Sequence, residues 1–282
     1  MNTGLQLIRS QCTDPADAVR WACVLEATAP KVGNVSPGKP FADLCFADFV
    51  AAAEIASSAF DASPAVFSQA VLRACQQIAE RIRTNVNLGI LLLIGPLVQA
   101  DATASPDRLS RKQWQRCVAD LLPRLTADDS ARLYAAINVA LPGGMGQAAE
   151  MDLSGPAPDS FLAAMKTAQS RDRIARNYAN EYSDLFEHIV PLLFSKIETC
   201  GDMLAGIAAT HLQLLTEEPD TLIARKHGLH VARDVQDRSK IDPADPQQSA
   251  DLDHFLRTGQ RFNPGTTADL IAAALYILLR EQ

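Results

Sequence analysis

The stretch from Leu88 to Ala100 reads LGILLLIGPLVQA, the most apolar run in the chain. It is too short to cross a bilayer, which takes about 20 apolar residues in a helix. Gly95-Pro96 also interrupts it. A run of this kind belongs inside a protein core, so the sequence predicts a buried central helix near residues 85–100. Around it, alanine and leucine dominate and alternating β-branched runs are nearly absent. The expected fold is therefore all-α: one multi-helix globular domain over residues 1–282, with no internal repeat and no composition shift to mark a boundary.

Helix punctuation supports this. Asp14-Pro15 supplies a capping residue followed by proline at the first helical position. The helix it opens should run to about Ala29, with Val19, Cys23 and Glu26 on one face. Further helices are expected over about 46–60, 64–83, 85–100 and 111–122. Thr126 with Asp129 has capping-box spacing. LPGGMGQAAEMDLSGPAP, from Leu141 to Pro158, is expected to be a long loop. Helices should resume near Ser160 and run, with a break, to Leu215, kinked at Pro191. Glu217 to Pro219 is expected as a turn and Ile241 to Gln248 as an exposed loop.

Composition narrows the function. The chain has 282 residues, 48% of them hydrophobic, and a net charge of -7 at pH 7. That balance argues against nucleic-acid and membrane-surface binding, both of which use basic patches. Small anionic ligands need only a few local cations. The six cysteines contain no CxxC pair, so neither a zinc site nor a redox pair is indicated. No signal peptide is seen between Met1 and Cys12, which makes the cytoplasm the expected compartment.

Four segments break the apolar pattern. In EATAPKVGNVSPGK (Glu26 to Lys39), Glu26 projects from an apolar face, where a carboxylate is costly unless it meets a cation, a metal or a donor. A surface pair with Lys31 or Arg20 would also account for it. RTNVNLG (Arg83 to Gly89) puts two asparagines at the mouth of the buried helix. Thr84 or Asn85 could simply cap that helix, with Asn87 beyond the cap. In PDTLIARKHG (Pro219 to Gly228), Asp220 can cap a short helix ending in Arg225, Lys226 and His227. Cations are favoured at a helix C-terminus and would also suit a triphosphate. His227 and His230 form HxxH without an accompanying acid, a poor metal signature. In NPGTTADL (Asn263 to Leu270), Thr266 and Asp269 fit a capping box after a tight turn. A glycine before free helix N–H groups is also a good anion cradle.

Taken in order, the series EATAPKVGNVS, TNVNLGILLL, LPGGMGQAAEMD, DTLIARKHG and NPGTTADLIAA resembles the triphosphoribosyl-dephospho-CoA synthase family, from about Ala16 to Leu279. The resemblance implies an all-α transferase. It would break the ribose–adenine bond of ATP and join the triphosphoribosyl group to a hydroxyl of dephospho-CoA, releasing adenine. It implies Lys31 as a phosphate contact, and Glu26 and Asp43 as candidates for metal binding or base chemistry. Asn34, Asn85, Asn87, Arg225, Lys226, Asn263, Gly265 and Thr266 become substrate or phosphate contacts. Asp220, Asp269 and Glu26 become Mg²⁺ ligands. ATP and a small hydroxyl acceptor are the implied partners; a homo-oligomer is compatible with the resemblance.

The sequence departs from the family pattern where the central motif usually resembles NTHKG and here reads NVNLG. Asn87 and Leu88 stand in place of a His and a Lys. The His-Arg pair of the DTN-type motif falls near Arg225-Lys226, and Thr266-Thr267 replace small residues. Such changes at an anion site are expected to alter the acceptor or the chemistry. Two alternatives follow: α-ribosyl phosphate transfer in tetrahydromethanopterin-type cofactor synthesis, or a non-catalytic nucleotide-binding relative.

Overall fold

A computed structural model describes residues 2–63, 65–82, 86–104, 108–140 and 156–282. The helices are α1 (Thr3–Gln11), α2 (Pro15–Thr28), α3 (Phe46–Ala62), α4 (Phe67–Arg81), α5 (Leu88–Thr103), α6 (Arg111–Leu121), α7 (Ala127–Ala140) and α8 (Phe161–Ala168). They continue as α9 (Arg173–Ala179), α10 (Val190–Cys200), α11 (Met203–Glu217), α12 (Thr221–His227), α13 (Leu229–Arg238), α14 (Pro246–Arg257) and α15 (Gly265–Arg280). Among the described residues the only β structure is two isolated bridges, Ser36 with Lys39 and Phe41 with Leu44. The all-α expectation holds.

Two helices are buried on nearly every side, α5 and α15. Such helices must lie within the core, because no face of them gains from water. Residues Ile90 to Val98 of α5 are all buried. In α15, every residue from Thr266 to Arg280 is buried except Asp269. The two helices pack on each other, and α15 also packs on α2, α10 and α11. At their far ends Asp101 of α5 accepts from Tyr276 Oη at 3.0 Å and Arg280 Nε at 2.7 Å.

Gly95-Pro96 does not end α5. Proline removes the N–H that would bond the carbonyl four residues back, which is that of Leu92. The Tyr178 hydroxyl donates to this oxygen instead, at 2.6 Å. A Cβ at Gly95 would come within 2.5 Å of the Phe67 ring, so glycine permits close approach of α4.

Several boundaries differ from expectation. The helix placed at 64–83 begins at Phe67, and α5 begins at Leu88 with Asn87 itself at the N-cap. The irregularity assigned to Pro191 precedes it: residues Asp184–Ile189 form a π-helical turn, and Pro191 sits harmlessly in the first turn of α10. The loop expected to reach Gln248 stops earlier, because Asp245 caps α14 and Pro246 opens it. Helices α1, α13 and α14 were not expected. The Leu141–Ser154 part of the expected Gly/Pro loop, with Gly155, lies outside the described residues, as does Asn85.

Candidate active site

The first turn of α15 is where the singled-out segments meet. Asp220 is the joint. Its Oδ1 accepts from the Leu222 and Ile223 amides at 2.9 and 3.1 Å, capping α12. Its Oδ2 accepts from the Thr267 amide and hydroxyl, both at 2.8 Å, capping α15. Two helix N-termini thus share one buried carboxylate, which suits the positive end of each helix dipole. Burial pushes the Asp220 carboxyl up, and its four donors oppose that shift. Next to this joint, Thr221 Oγ1 donates to Thr266 Oγ1 at 3.1 Å.

This corrects the Thr266–Asp269 capping box. The N-cap of α15 is Pro264, with no side-chain capping bond. Asp220, from another helix, serves the orphan amide and leaves Asp269 free to point elsewhere. Gly265 does not face open space either. A Cβ there would lie 2.5 Å from Leu222 Cδ2, so this glycine allows α12 to close on α15.

The segment at Glu26 reaches the same place. Lys31 Nζ lies 2.8 Å from Glu26 Oε1, with side-chain exposures of 0% and 4%, and it also donates to the Glu26 carbonyl. The expected surface pair is therefore a buried one; Arg20 pairs with Asp17 instead. Gly33, at φ +75°, lets the following loop turn against Leu256 and Pro264. Asn34 Nδ2 donates to Asn263 Oδ1 at 2.7 Å, which joins the first segment to the last. The α5 segment closes the remaining side. A Cβ on Gly89 would lie 2.0 Å from Asp269 Oδ2, so the carboxylate rests directly on that glycine. Asn87, at φ +68°, is 7% exposed, and neither of its side-chain polar atoms has a partner among the described residues.

Asp269 lies between these segments, against Gly89 and within the fields of Glu26, Asp220 and Asp172. It makes no hydrogen bond or ion pair with any described residue. Burial, then the negative fields of Glu26, Asp220 and Asp172, push its carboxyl well above the usual range; Arg225 opposes them. A carboxyl raised in this way tends to hold its proton and ionises when a positive charge comes to lie beside it.

Cations line the outer side. Arg225 Nη1 pairs with Asp172 Oδ2 at 3.1 Å. Partial burial, together with Arg225 and Arg261, pushes Lys226 below its usual value. Asp43 is exposed at this rim, paired with Arg261, and is not among the groups that act on Asp269. Among the described residues no three His, Cys, Asp or Glu side chains are grouped to hold a metal. Glu26 is committed to Lys31, and both oxygens of Asp220 are committed to helix ends.

Three residues near the site were not singled out from sequence. Asp172 caps α9 through the Ile174 and Ala175 amides, and an acid directly before a helix was a usable signal. His211 of α11 is buried and kept neutral by burial and by the nearby Lys31 charge. Nothing local in the sequence marks it. Arg261 sits in a turn whose geometry only tertiary structure shows.

Comparison with known proteins shows the family and the fold. The family model of the ATP:dephospho-CoA triphosphoribosyl transferases matches residues 12–282. The chain belongs to that family. Membership makes it a transferase of cofactor biosynthesis, with triphosphoribosyl transfer to dephospho-CoA as the family activity. A solved structure from Archaeoglobus fulgidus, assigned provisionally as a triphosphoribosyl-dephospho-CoA synthase, shares the fold. It is 23% identical, with a TM-score of 0.65, over 82% of this chain and 98% of that one. A search of the curated proteins returned no match. No helix among the described residues is long and apolar enough to cross a membrane.

Proposed function

We propose that the first turn of α15 is the reaction centre of this transferase, and that adenine is the leaving group. Asp269 carries the reading: it is the one residue from Thr266 to Arg280 that is not fully buried, a carboxylate beside Gly89 with no partner among the described residues. Cleavage of a ribose–base bond builds positive charge on the anomeric carbon, as in glycoside chemistry. Asp269 stabilises that charge, and the acids around it add to the field. A group fixed in advance in a poorly solvated site gives more stabilisation than the same group in water.

The remaining residues take positioning roles. Asp220 aligns α12 with α15. The Glu26–Lys31 pair fixes the loop that carries Gly33 and Asn34. Asn34 and Asn263, already bonded to each other, present polar groups beside Pro264. Asn87 offers an unpaired amide at the start of α5. Arg225 and Lys226 face the phosphates.

Among the described residues the side chains form no all-protein metal cage, but they fit a magnesium ion bound chiefly through substrate phosphates. Mg²⁺ usually takes one or two carboxylates and keeps its other positions for phosphate and water. Asp269, unpaired among the described residues, would be one such carboxylate. The ion would neutralise charge on the triphosphate. The reading carries a cytoplasmic setting, where ATP is abundant.

The test is the fate of ATP. With dephospho-CoA and Mg²⁺, the account expects free adenine and a product that keeps all three phosphates, resolved by chromatography and mass. ADP, AMP or pyrophosphate in place of adenine would mean attack at phosphorus and would overturn it.

A further inference from the structure

We propose that Arg261 binds the outer phosphates of the nucleotide, as the third member of a cationic rim with Arg225 and Lys226. This rests on the ATP-dependent reading above and adds a residue to it.

Four observations lead there. First, Arg261 sits at φ +55°, in the left-handed region that non-glycine residues seldom occupy. Such strain persists only where surrounding structure imposes it, and it gathers at functional sites. Here Gly259 at φ +68° starts the turn, and the Phe262 amide closes it on the Leu256 carbonyl at 2.8 Å.

Second, the guanidinium is held over the Phe41 ring, with Cζ 3.7 Å from the centroid. The cation–π contact and the flat stacking fix its plane while leaving its edge donors available. Phe41 is itself placed by the bonded turn to Leu44, 2.8 Å from amide to carbonyl. Arg257, whose Cζ lies 5.0 Å from the same ring, is anchored by Asp253 at 2.9 Å.

Third, Arg261 is close enough to Lys226 to repel it, as is Arg225. The three cations share this rim with Asp43 and Asp220, whose charges act on Lys226 in the opposite sense. Repulsion of this kind is relieved by a polyanion.

Fourth, among the described residues the carboxylate paired with Arg261 is Asp43, whose side chain is 65% exposed. An exposed ion pair is weak, so a phosphate can displace Asp43 readily. Arg225 ties this rim to the proposed reaction centre, since its charge acts on Asp269. With the anomeric carbon at Asp269 inside, the chain of phosphates on the far side of the ribose extends outward.

The experiment compares ATP, ADP and AMP binding by calorimetry in the unmodified protein and in Arg261→Gln. Loss of a fork-shaped phosphate contact should weaken ATP by about tenfold and AMP by less than about twofold, with the melting temperature unchanged. Arg261→Lys should restore part of the loss, because a point charge replaces a bidentate one. Asp43→Asn should tighten ATP by removing the competing carboxylate. If Arg261→Gln weakens all three nucleotides equally, or none, the proposal is overturned. If the unmodified protein binds none of them, the ATP reading itself fails, and this proposal with it.

Discussion

Asp220 and Thr267 belong to different helices, yet the Asp220 carboxylate takes both the amide and the hydroxyl of Thr267 at 2.8 Å while capping its own helix with the other oxygen. That single contact sets α12 against α15 and so sets the rim cations relative to Asp269. In Asp220→Asn one amide face must meet a donor with a donor. A buried group left unsatisfied costs about 1–3 kcal/mol, and both Asp220→Asn and Thr267→Val should show losses of that order in urea denaturation. Because they remove one interaction, the double variant should lose less than the sum. Additive losses would show that the two residues act independently.

Asp269 predicts an exchange between stability and activity. Its native carboxyl titrates above the unfolded one, so the native state holds the proton more tightly. Stability is then full below the ordinary carboxylate range and falls as pH rises toward the raised native value. Asp269→Asn removes that loss. Without divalent cation, the variant should melt at a higher temperature than the unmodified protein at neutral pH, and the difference should vanish near pH 3. An equal or lower melting temperature at neutral pH would contradict the assigned field.

The Glu26–Lys31 pair makes a prediction of a different kind. Breaking a buried pair by removing one partner costs about 3–5 kcal/mol, because a charge is left unpaired. Lys31→Met should behave so in denaturant titrations. The joint replacement Glu26→Gln with Lys31→Met should recover most of the stability. Catalysis in that folded double variant then shows whether Glu26 contributes more than support.

Gly89 is the most sensitive backbone position. A methyl group there would displace the Asp269 carboxylate. Gly89→Ala improves intrinsic helix propensity by about 1 kcal/mol, so the helix should form, while kcat should drop by at least about tenfold for a misplaced group. Retained kcat in steady-state assays would free Asp269 from its assigned place.

Much of the fold was legible in the sequence because helices announce themselves locally. The buried run at 88–100, the caps at Asp14, Thr126 and Asp220, and the apolar face of α2 were all readable from spacing. Helices α1 and α13 were not, since each buries only a narrow face. The site was legible as a set of four segments but not as a geometry. T-x-x-D in NPGTTADL satisfies a local rule, yet a carboxylate from a distant helix fills the cap and Asp269 rests against Gly89. Lys31 has a phosphate-binder's chemistry, but its position in the fold gives it to Glu26. Arg261 and His211 gain their meaning only from residues far away in the chain.

The most direct test of the central claim is the rate of adenine release by Asp269→Asn, measured with saturating ATP, Mg²⁺ and dephospho-CoA on protein shown to be folded. Loss of preorganised charge stabilisation predicts a kcat lower by about 10²–10³-fold or more, with ATP still bound. A variant that releases adenine at nearly the unmodified rate would place the chemistry somewhere other than the first turn of α15.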